Sequence, residues 1–112
     1  MRRGEVWLIN LDPTIGAEIR KTRPAVIVND NAVGILPLKV VVPITDWKER
    51  YAVAPWMSKL DPDAENGLSK PSAADAFQVR SLSQERFVRR LGKLSPENLQ
   101  TISQALAVVL SI

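Results

Sequence analysis

The chain contains no histidine and no cysteine. Without cysteine it can form neither a disulfide nor a thiolate nucleophile, and without histidine it lacks the usual metal ligand and the usual proton shuttle. Any catalytic site must therefore be built from carboxylates, hydroxyls, lysines and arginines. The absence of cysteine also fits a reducing compartment.

Long apolar runs are missing as well. None approaches the roughly 20 residues that a membrane span needs, and no signal peptide is visible, so we expect a cytoplasmic protein without a membrane partner. A hydrophobic share of 46% and a charged share of 24% over 112 residues are ordinary for a soluble globular protein, so we expect a single domain, residues 1–112. The net charge of +3 permits a polyanionic partner but does not require one.

What the sequence does contain is mostly strand-like patterning. It predicts β-strands at 5–11, 25–28 and 38–44, and Pro43 near the end of the third indicates an edge position or a bulge. Weaker patterns predict further strands at 52–56, 73–79 and 87–91.

The end of the chain changes to a helical period. Ser95 is a good N-cap, and the proline and glutamate that follow it suit a first helical turn. One apolar stripe, widened by Ala105, Val108 and Leu110, follows at helical spacing: Leu99, Ile102, Leu106 and Val109. Such a helix covers a sheet or a subunit contact. Several short strands and one terminal helix predict a mainly β fold, a small, strongly bent sheet or barrel.

The polar segment between the first two predicted strands is the first place to look for chemistry. It carries one carboxylate and three cations: Glu18, Arg20, Lys21 and Arg23. A proline follows Arg23, and its fixed φ favours an extended backbone before it, which would hold this arginine at a strand entrance.

Four segments in this order resemble the MazF/PemK toxins, the endoribonucleases of toxin–antitoxin pairs: RGEVWLINLDPTIGAE, KTRPAVIVND, VVPIT and FQVRSLSQERF with the terminal helix. The resemblance runs nearly end to end. It implies a mainly β chain with a C-terminal helix, folded as a small SH3-like β-barrel of the MazF/PemK type. It also implies sequence-specific cleavage of single-stranded RNA with no metal and no cofactor. The implied partners are a second copy, a cognate antitoxin that blocks the site and, only through the antitoxin, operator DNA.

The resemblance also assigns roles to particular residues. In that family the arginine before the proline and the threonine that ends the third strand form the central catalytic pair, here Arg23 and Thr45. The glutamate of the family's Gly-x-Glu loop falls on Glu18. Gln78 and Arg80 match positions that help to hold RNA, and two positions apart on one strand they would share a face.

Three further residues are predicted to contact RNA: Arg20, Lys21 and Trp47. The first two make the loop basic, and Lys21 lies where relatives often have glycine. Trp47 could stack on an unpaired base, although burial in a core or an interface explains it equally well. The basic stretch at 86–93 is compatible with phosphate contacts or with a solvated edge.

These residues also suit the chemistry. Cutting RNA internally without a metal requires a 2′-hydroxyl to attack its own phosphodiester, with a proton acceptor, a proton donor and charge stabilisation. Glu18 can accept the proton, Arg23 presents a planar fork of donors to phosphate oxygens, and Thr45 adds a hydroxyl. The proton donor is left open between Arg23 and water.

From the residues alone, other interpretations stay open. Glu18 with a neighbouring arginine is also typical of a surface ion pair, and a threonine at a strand end is often structural. A second function from another class is a non-catalytic barrel that binds a protein such as DNA gyrase. The sequence indicates neither the RNA motif that is cut nor the antitoxin.

Overall fold

Seven antiparallel strands and one helix make up the fold in the computed structural model, which describes residues 1–33 and 35–112. In chain order the elements are β1 (Glu5–Asn10), β2 (Thr22–Ile27), β3 (Leu38–Asp46), β4 (Met57–Leu60), β5 (Ser72–Asp75), β6 (Arg80–Ser83), β7 (Phe87–Lys93) and α1 (Pro96–Leu110). Short 3₁₀ turns lie at Asn31–Val33, Glu49–Val53, Ala76–Gln78 and Gln84–Arg86. The predicted mainly β chain with a C-terminal helix is confirmed.

The strands are arranged around β3. One of its edges pairs with β2, which continues the sheet to β1 and β7. Along the other edge β6 pairs as far as Val41 and β5 pairs from Ile44 onward, with a break between them. Pro43 lies at this break, but the register of β3 with β2 runs through it without a shift, so no bulge is seen there. The edge interpretation is wrong, because Pro43 is fully buried and pairs with Ala25 of β2.

The sheet is closed by a loop. The segment between β4 and β5, which we call loop 61–71, reaches β7, where the N–H of Lys93 donates to the carbonyl of Glu65 (3.0 Å). A Cβ added at Gly92 would overlap that same carbonyl oxygen, and one added at Gly67 would overlap the backbone of β7. The close approach that completes the barrel therefore requires glycine on both sides.

The core has two parts. The first contains, among others, Val6, Val26, Val42, Ile44, Leu60 and Ile102. The second contains Ile9, Leu11, Ala25, Ile27, Val41 and Leu82. Successive side chains of a strand point to opposite faces, so the central strands supply residues to both parts. Helix α1 covers the first part, and the loop between β1 and β2, loop 12–21, packs Ile19 against the second.

Helix α1 begins as predicted. The Oγ of Ser95 accepts a hydrogen bond from the N–H of Asn98 (3.1 Å). Ile102 is buried against the sheet, whereas Val108 and Leu110 are 58% and 52% exposed. The wide apolar stripe is therefore only partly covered by the chain's own sheet. No helix among the described residues is both long and apolar enough to cross a membrane.

The predicted strand at 52–56 is wrong. Residues Glu49–Val53 form a 3₁₀ turn, and β4 begins only at Met57. Two apolar side chains that produced the strand-like pattern lie at the surface, because Val53 is 88% exposed and Trp56 is 36% exposed.

The predicted strand at 73–79 is divided into two. Strand β5 ends at Asp75, whose carboxylate accepts a hydrogen bond from the N–H of Phe77 (3.1 Å) and so caps a 3₁₀ turn. Gln78 ends that turn and Arg80 begins β6. The prediction that these two residues share one strand face is therefore wrong.

Candidate functional site

The pairing of β2 with β3 brings Arg23 and Thr45 together. Ala25 pairs with Pro43, and this register, continued by two further pairs, sets Arg23 opposite Thr45. Here β3 leaves β2 and pairs with β5, so the strands part. Both residues line a cavity of about 390 Å³ at this point, which we call the Arg23 cavity.

The Arg23 cavity carries mainly positive charge. Three cationic residues, Arg23, Lys70 and Arg89, line it, and Asp46 is the one carboxylate among its described lining residues. The Nζ of Lys70 lies 3.1 Å from Oδ1 of Asp46, and both side chains are more than half exposed. The remaining two guanidinium groups make the cavity suitable for a phosphate.

Arg23 is held at the cavity by its own loop. Its Nε donates a hydrogen bond to the carbonyl of Arg20 (3.2 Å). Within residues 1–33 and 35–112, the two terminal nitrogens of this guanidinium make no hydrogen bond and no ion pair. These nitrogens are the donors that a planar fork uses to bind two phosphate oxygens.

Glu18 lies apart from the predicted catalytic pair. It lines a different cavity of about 570 Å³, which it shares with Gln78 and Arg80 and which we call the Glu18 cavity. Its Oε1 accepts a hydrogen bond from the N–H of Ile15 (2.6 Å), so the carboxylate is engaged within its own loop. The structure thus joins two of the three predicted catalytic residues and places the third with two predicted RNA-binding residues.

The side chain of Gln78 fixes the position of loop 12–21. Its Oε1 accepts from the N–H of Ile19 (3.1 Å), and its Nε2 donates to the carbonyl of Ala17 (3.1 Å). These two bonds tie the loop to the turn between β5 and β6. In this structure Gln78 is a positioning residue for the loop, and its contact with RNA stays a prediction.

The base of loop 12–21 is closed by hydrogen bonds between side chains and the backbone. Lys21 has φ of 71°, a conformation that favours glycine, and its N–H donates to the carboxylate of Asp12 (3.0 Å). The side chain of Arg86, the residue just before β7, donates to the carbonyl of Asp12 (2.6 Å). Arg20 and Lys21 are both exposed, so the loop presents two cations to solvent.

The basic residues of the stretch 86–93 lie at three separate places in the structure. Arg86 holds loop 12–21, and Arg89 lines the Arg23 cavity. Arg90 and Lys93 line a third cavity, of about 570 Å³, near the start of α1. The stretch is therefore not one phosphate-binding patch.

Trp47 follows the cavity residue Asp46 but is packed into a cluster of its own. Its Nε1 donates to Glu49 (3.1 Å), the ring of Tyr51 meets it edge-on at 6.0 Å, and the Nζ of Lys59 lies 5.2 Å from its ring centroid. Stacking on an RNA base stays a prediction for this residue.

Two charged residues of the Arg23 cavity were not singled out from the sequence, Asp46 and Lys70. Asp46 directly follows Thr45, which is the only local signal for it. Lys70 is far away in sequence, and only the path of loop 61–71 brings its Nζ to Asp46. Among residues 1–33 and 35–112, no group of three or more His, Cys, Asp or Glu is placed to hold a metal ion.

Two carboxyl groups outside the Arg23 cavity have shifted pKa values. Burial raises the pKa of Asp75, and hydrogen bonds from the N–H groups of Phe77 and Gln78 only partly oppose this. Burial also acts to raise the pKa of Glu5, but the hydrogen bond from the indole of Trp7, a backbone hydrogen bond and nearby positive charge outweigh it, so the pKa is lowered.

Comparison with known proteins identifies the family. Residues 2–110 match the family described as PemK-like, MazF-like toxin of type II toxin–antitoxin system. The chain belongs to this family. The resemblance predicted from the four sequence segments is thereby confirmed.

Two curated relatives of this toxin align over its whole length. It is 33% identical to endoribonuclease MazF9 of Mycobacterium tuberculosis (strain ATCC 25618 / H37Rv), covering 100% of this chain and 98% of the relative. It is 30% identical to endoribonuclease MazF of Staphylococcus saprophyticus, covering 100% of this chain and 92% of the relative.

Solved structures share the fold. MazF of Deinococcus radiodurans (form I) superposes with a TM-score of 0.83 at 24% identity, covering 100% of this chain and 97% of that one. An endoribonuclease in complex with its cognate antitoxin, from a mycobacterial species, gives 0.80 at 22% identity, covering 100% and 96%. The toxin therefore has the MazF fold, as predicted.

Proposed function

We propose that this endoribonuclease toxin cleaves single-stranded RNA at specific sequences, without a metal, in the Arg23 cavity. The observation that carries this proposal is the convergence of Arg23 and Thr45, distant in sequence, on one cavity with an excess of positive charge. Its curated relatives are named endoribonucleases, which supports cleavage. They do not support the alternative of a non-catalytic barrel that acts on a protein such as DNA gyrase.

The reaction is an internal transesterification. The 2′-oxygen bonds to the adjacent phosphorus while the bond from phosphorus to the 5′-oxygen breaks, which leaves a 2′,3′-cyclic phosphate and a 5′-hydroxyl. Arg23 binds the non-bridging oxygens, and the hydroxyl of Thr45 donates to the same oxygens. Stabilising the charge that develops there is the kind of task for which one donor accelerates a reaction roughly 10²–10³-fold.

We assign the proton from the 2′-hydroxyl to Glu18. In the structure its carboxylate accepts from Ile15, so this role requires loop 12–21 to release it when RNA binds. A guanidinium keeps its proton in proteins, so the leaving 5′-oxygen takes its proton from water in this proposal.

The bound RNA strand lies along loop 12–21 beside the Glu18 cavity, a path that we call the RNA track. Arg20 and Lys21 supply exposed cations for the backbone phosphates, and Arg80 lines the cavity itself. Gln78 contributes by holding the loop. Trp47 stacks on a base at the edge of the track, with Lys59 above its ring.

The toxin acts, in this proposal, as a single domain comprising residues 1–112, in the cytoplasm. It forms a homodimer and is neutralised by a cognate antitoxin, and it reaches operator DNA only through that antitoxin. Support for the dimer comes from apolar side chains left exposed on α1 and on the turn that packs against it, with Val108 at 58% and Phe77 at 67%.

The function is tested with a long unstructured RNA in EDTA. We expect the purified toxin to cut it at a few repeated sites, leaving 5′-hydroxyl ends that can be mapped. Arg23→Ala should lower kcat by roughly 10²-fold or more while the circular dichroism spectrum is unchanged. Arg2→Ala, which removes an exposed cation outside the cavity, is the matched control. Full activity of Arg23→Ala would refute the mechanism, and intact RNA with arrest of gyrase would support the alternative.

A further inference from the structure

The Asp46–Lys70 pair of the Arg23 cavity has no role in the mechanism above. Its two charged atoms lie 3.1 Å apart, and the side chains are 53% and 62% exposed. Exposed ion pairs of this kind contribute little to stability, so folding alone does not explain the pair. Both residues nevertheless line the same cavity as Arg23 and Thr45.

The backbone that carries Lys70 is ordered before any ligand binds. In loop 61–71 the fully buried Asn66 accepts from the N–H of Leu68 (3.0 Å) and donates to the carbonyl of Asp61 (2.9 Å). The carbonyl of Lys70 itself accepts from the hydroxyl of Ser72 (2.8 Å). A loop fixed in this way costs little further ordering when a ligand binds, which favours selective recognition.

The cavity has the size and walls of a site for a flat ring. It encloses about 390 Å³, which is at the lower end of the range for small-molecule sites. Apolar residues from three strands and from loop 61–71 line it beside the charged groups: Leu8, Ile44, Leu68 and Leu91. The bases of single-stranded RNA are unstacked and can enter such a site, exposing their Watson–Crick edges.

We propose that the Asp46–Lys70 pair recognises a guanine next to the phosphodiester that is cut. Guanine presents the O6 acceptor beside two donors, N1–H and the 2-amino group. A carboxylate beside an ammonium is complementary to this edge, because Asp46 accepts from both donors while Lys70 donates to O6. The proposal depends on the proposed endoribonuclease function and adds its base preference.

The position of Asp46 on β3 favours recognition over proton transfer. Thr45 and Asp46 are adjacent on the strand, so their side chains point to opposite sides of it. Asp46 is therefore turned away from a phosphate held at Thr45, although it still lines the same cavity. Among the described lining residues, Arg23 and Arg89 are the charged groups that accompany this pair.

The first test maps cleavage sites. We expect the 5′ ends produced by the wild-type toxin from a long transcript to show guanine at one fixed position near the cut, and Asp46→Asn to lose that preference while still cutting. Glu97→Gln, which also removes one exposed carboxylate but lies at the start of α1, should keep it. A wild-type motif without guanine, or an unchanged motif in Asp46→Asn, overturns the proposal. Intact RNA with the wild-type toxin would instead refute the proposed function.

The second test replaces that guanine by inosine in a short RNA, which removes only the 2-amino group. For the wild-type toxin kcat/KM should fall on the order of 10-fold, since one good base contact gives discrimination of about this size. Asp46→Ala, which leaves no acceptor for the amino group, should cut the two RNAs equally. Equal cutting by the wild-type toxin overturns the proposal, as does a loss of kcat in Asp46→Asn that is the same for every sequence. The latter result would assign Asp46 to proton transfer.

Discussion

Asp75 and Glu5 are partly buried carboxyl groups whose pKa values are shifted in opposite directions. Burial raises the pKa of Asp75 above its ordinary value of 3.8. A raised pKa in the folded state contributes stability at low pH that is lost as the pH rises through the folded value. For Glu5 the pKa lies below its ordinary value of 4.5, so its contribution is present at neutral pH and is lost as the pH falls.

Replacing each group separates the two effects. We expect the free energy of unfolding of the wild-type protein, relative to Asp75→Asn, to fall as the pH rises above the ordinary pKa of 3.8. Asn keeps an oxygen to accept from Phe77, so the turn remains capped. Relative to Glu5→Gln, the wild-type protein should instead lose stability as the pH falls below about 4. Urea unfolding at a fixed protein concentration measures both. If the two relative stabilities changed with pH in the same direction, the assigned shifts would be contradicted.

Glu18 poses a separate question at this scale, because its carboxylate is engaged with Ile15 in the structure. If Glu18 accepts the 2′-proton after the loop opens, Glu18→Gln should lower kcat by about 10²–10⁴-fold with little change in KM. Single-turnover cleavage of a short RNA measures this. Unchanged kcat would leave Glu18 as a loop residue only.

Loop 61–71 combines two tasks at the scale of elements, since it closes the sheet on β7 and forms one wall of the Arg23 cavity. Gly92→Ala should therefore affect both tasks. The added Cβ overlaps the carbonyl of Glu65, and overpacking of this kind costs about 1–3 kcal/mol. Cleavage should fall as well, because the cavity wall is displaced.

Gly16→Ala is the control for stability in that experiment. Its φ is +60°, but no heavy atom lies within 4 Å of the added Cβ, so only backbone strain of about 1 kcal/mol is expected. Urea unfolding compares the two variants. If both variants lost the same free energy of unfolding, the contact between loop 61–71 and β7 would be shown to accommodate an added methyl group.

The same elements show how far the sequence predicts this molecule. Strands β1 to β3, β7 and helix α1 were predicted because their apolar periods and caps are local, as at Ser95. The interruption at Ala76–Gln78 was not, because one hydrogen bond to Asp75 outweighs a strand-like pattern. That Arg23 meets Thr45 was expected only from the family resemblance, because the sequence does not show the register of β2 with β3. The place of Glu18 could not be predicted, since it depends on contacts of Gln78 with a loop 59 residues away.

The exposed apolar side chains of α1 and its neighbouring turn concern the whole molecule. If this face is buried in a homodimer, Val108→Glu should place an unpaired charge in the contact and raise the dimer dissociation constant at least about tenfold. Gln104→Glu, on the same helix and also exposed, adds the same charge and is the matched control. Light scattering after gel filtration measures the mass, and a monomeric wild-type protein would refute the dimer.

Among the described residues, one backbone hydrogen bond, from the N–H of Lys93 to the carbonyl of Glu65, joins loop 61–71 to β7. The shape of the Arg23 cavity therefore depends on this contact. If this contact opens while β1, β2 and β3 stay paired, the Arg23 cavity loses the wall that loop 61–71 forms. Mild heat or urea should therefore abolish RNA cleavage before the secondary structure unfolds. Substitutions that change which RNA the toxin cuts should therefore spare Gly67 and Gly92, since this contact has no room for a Cβ at either position.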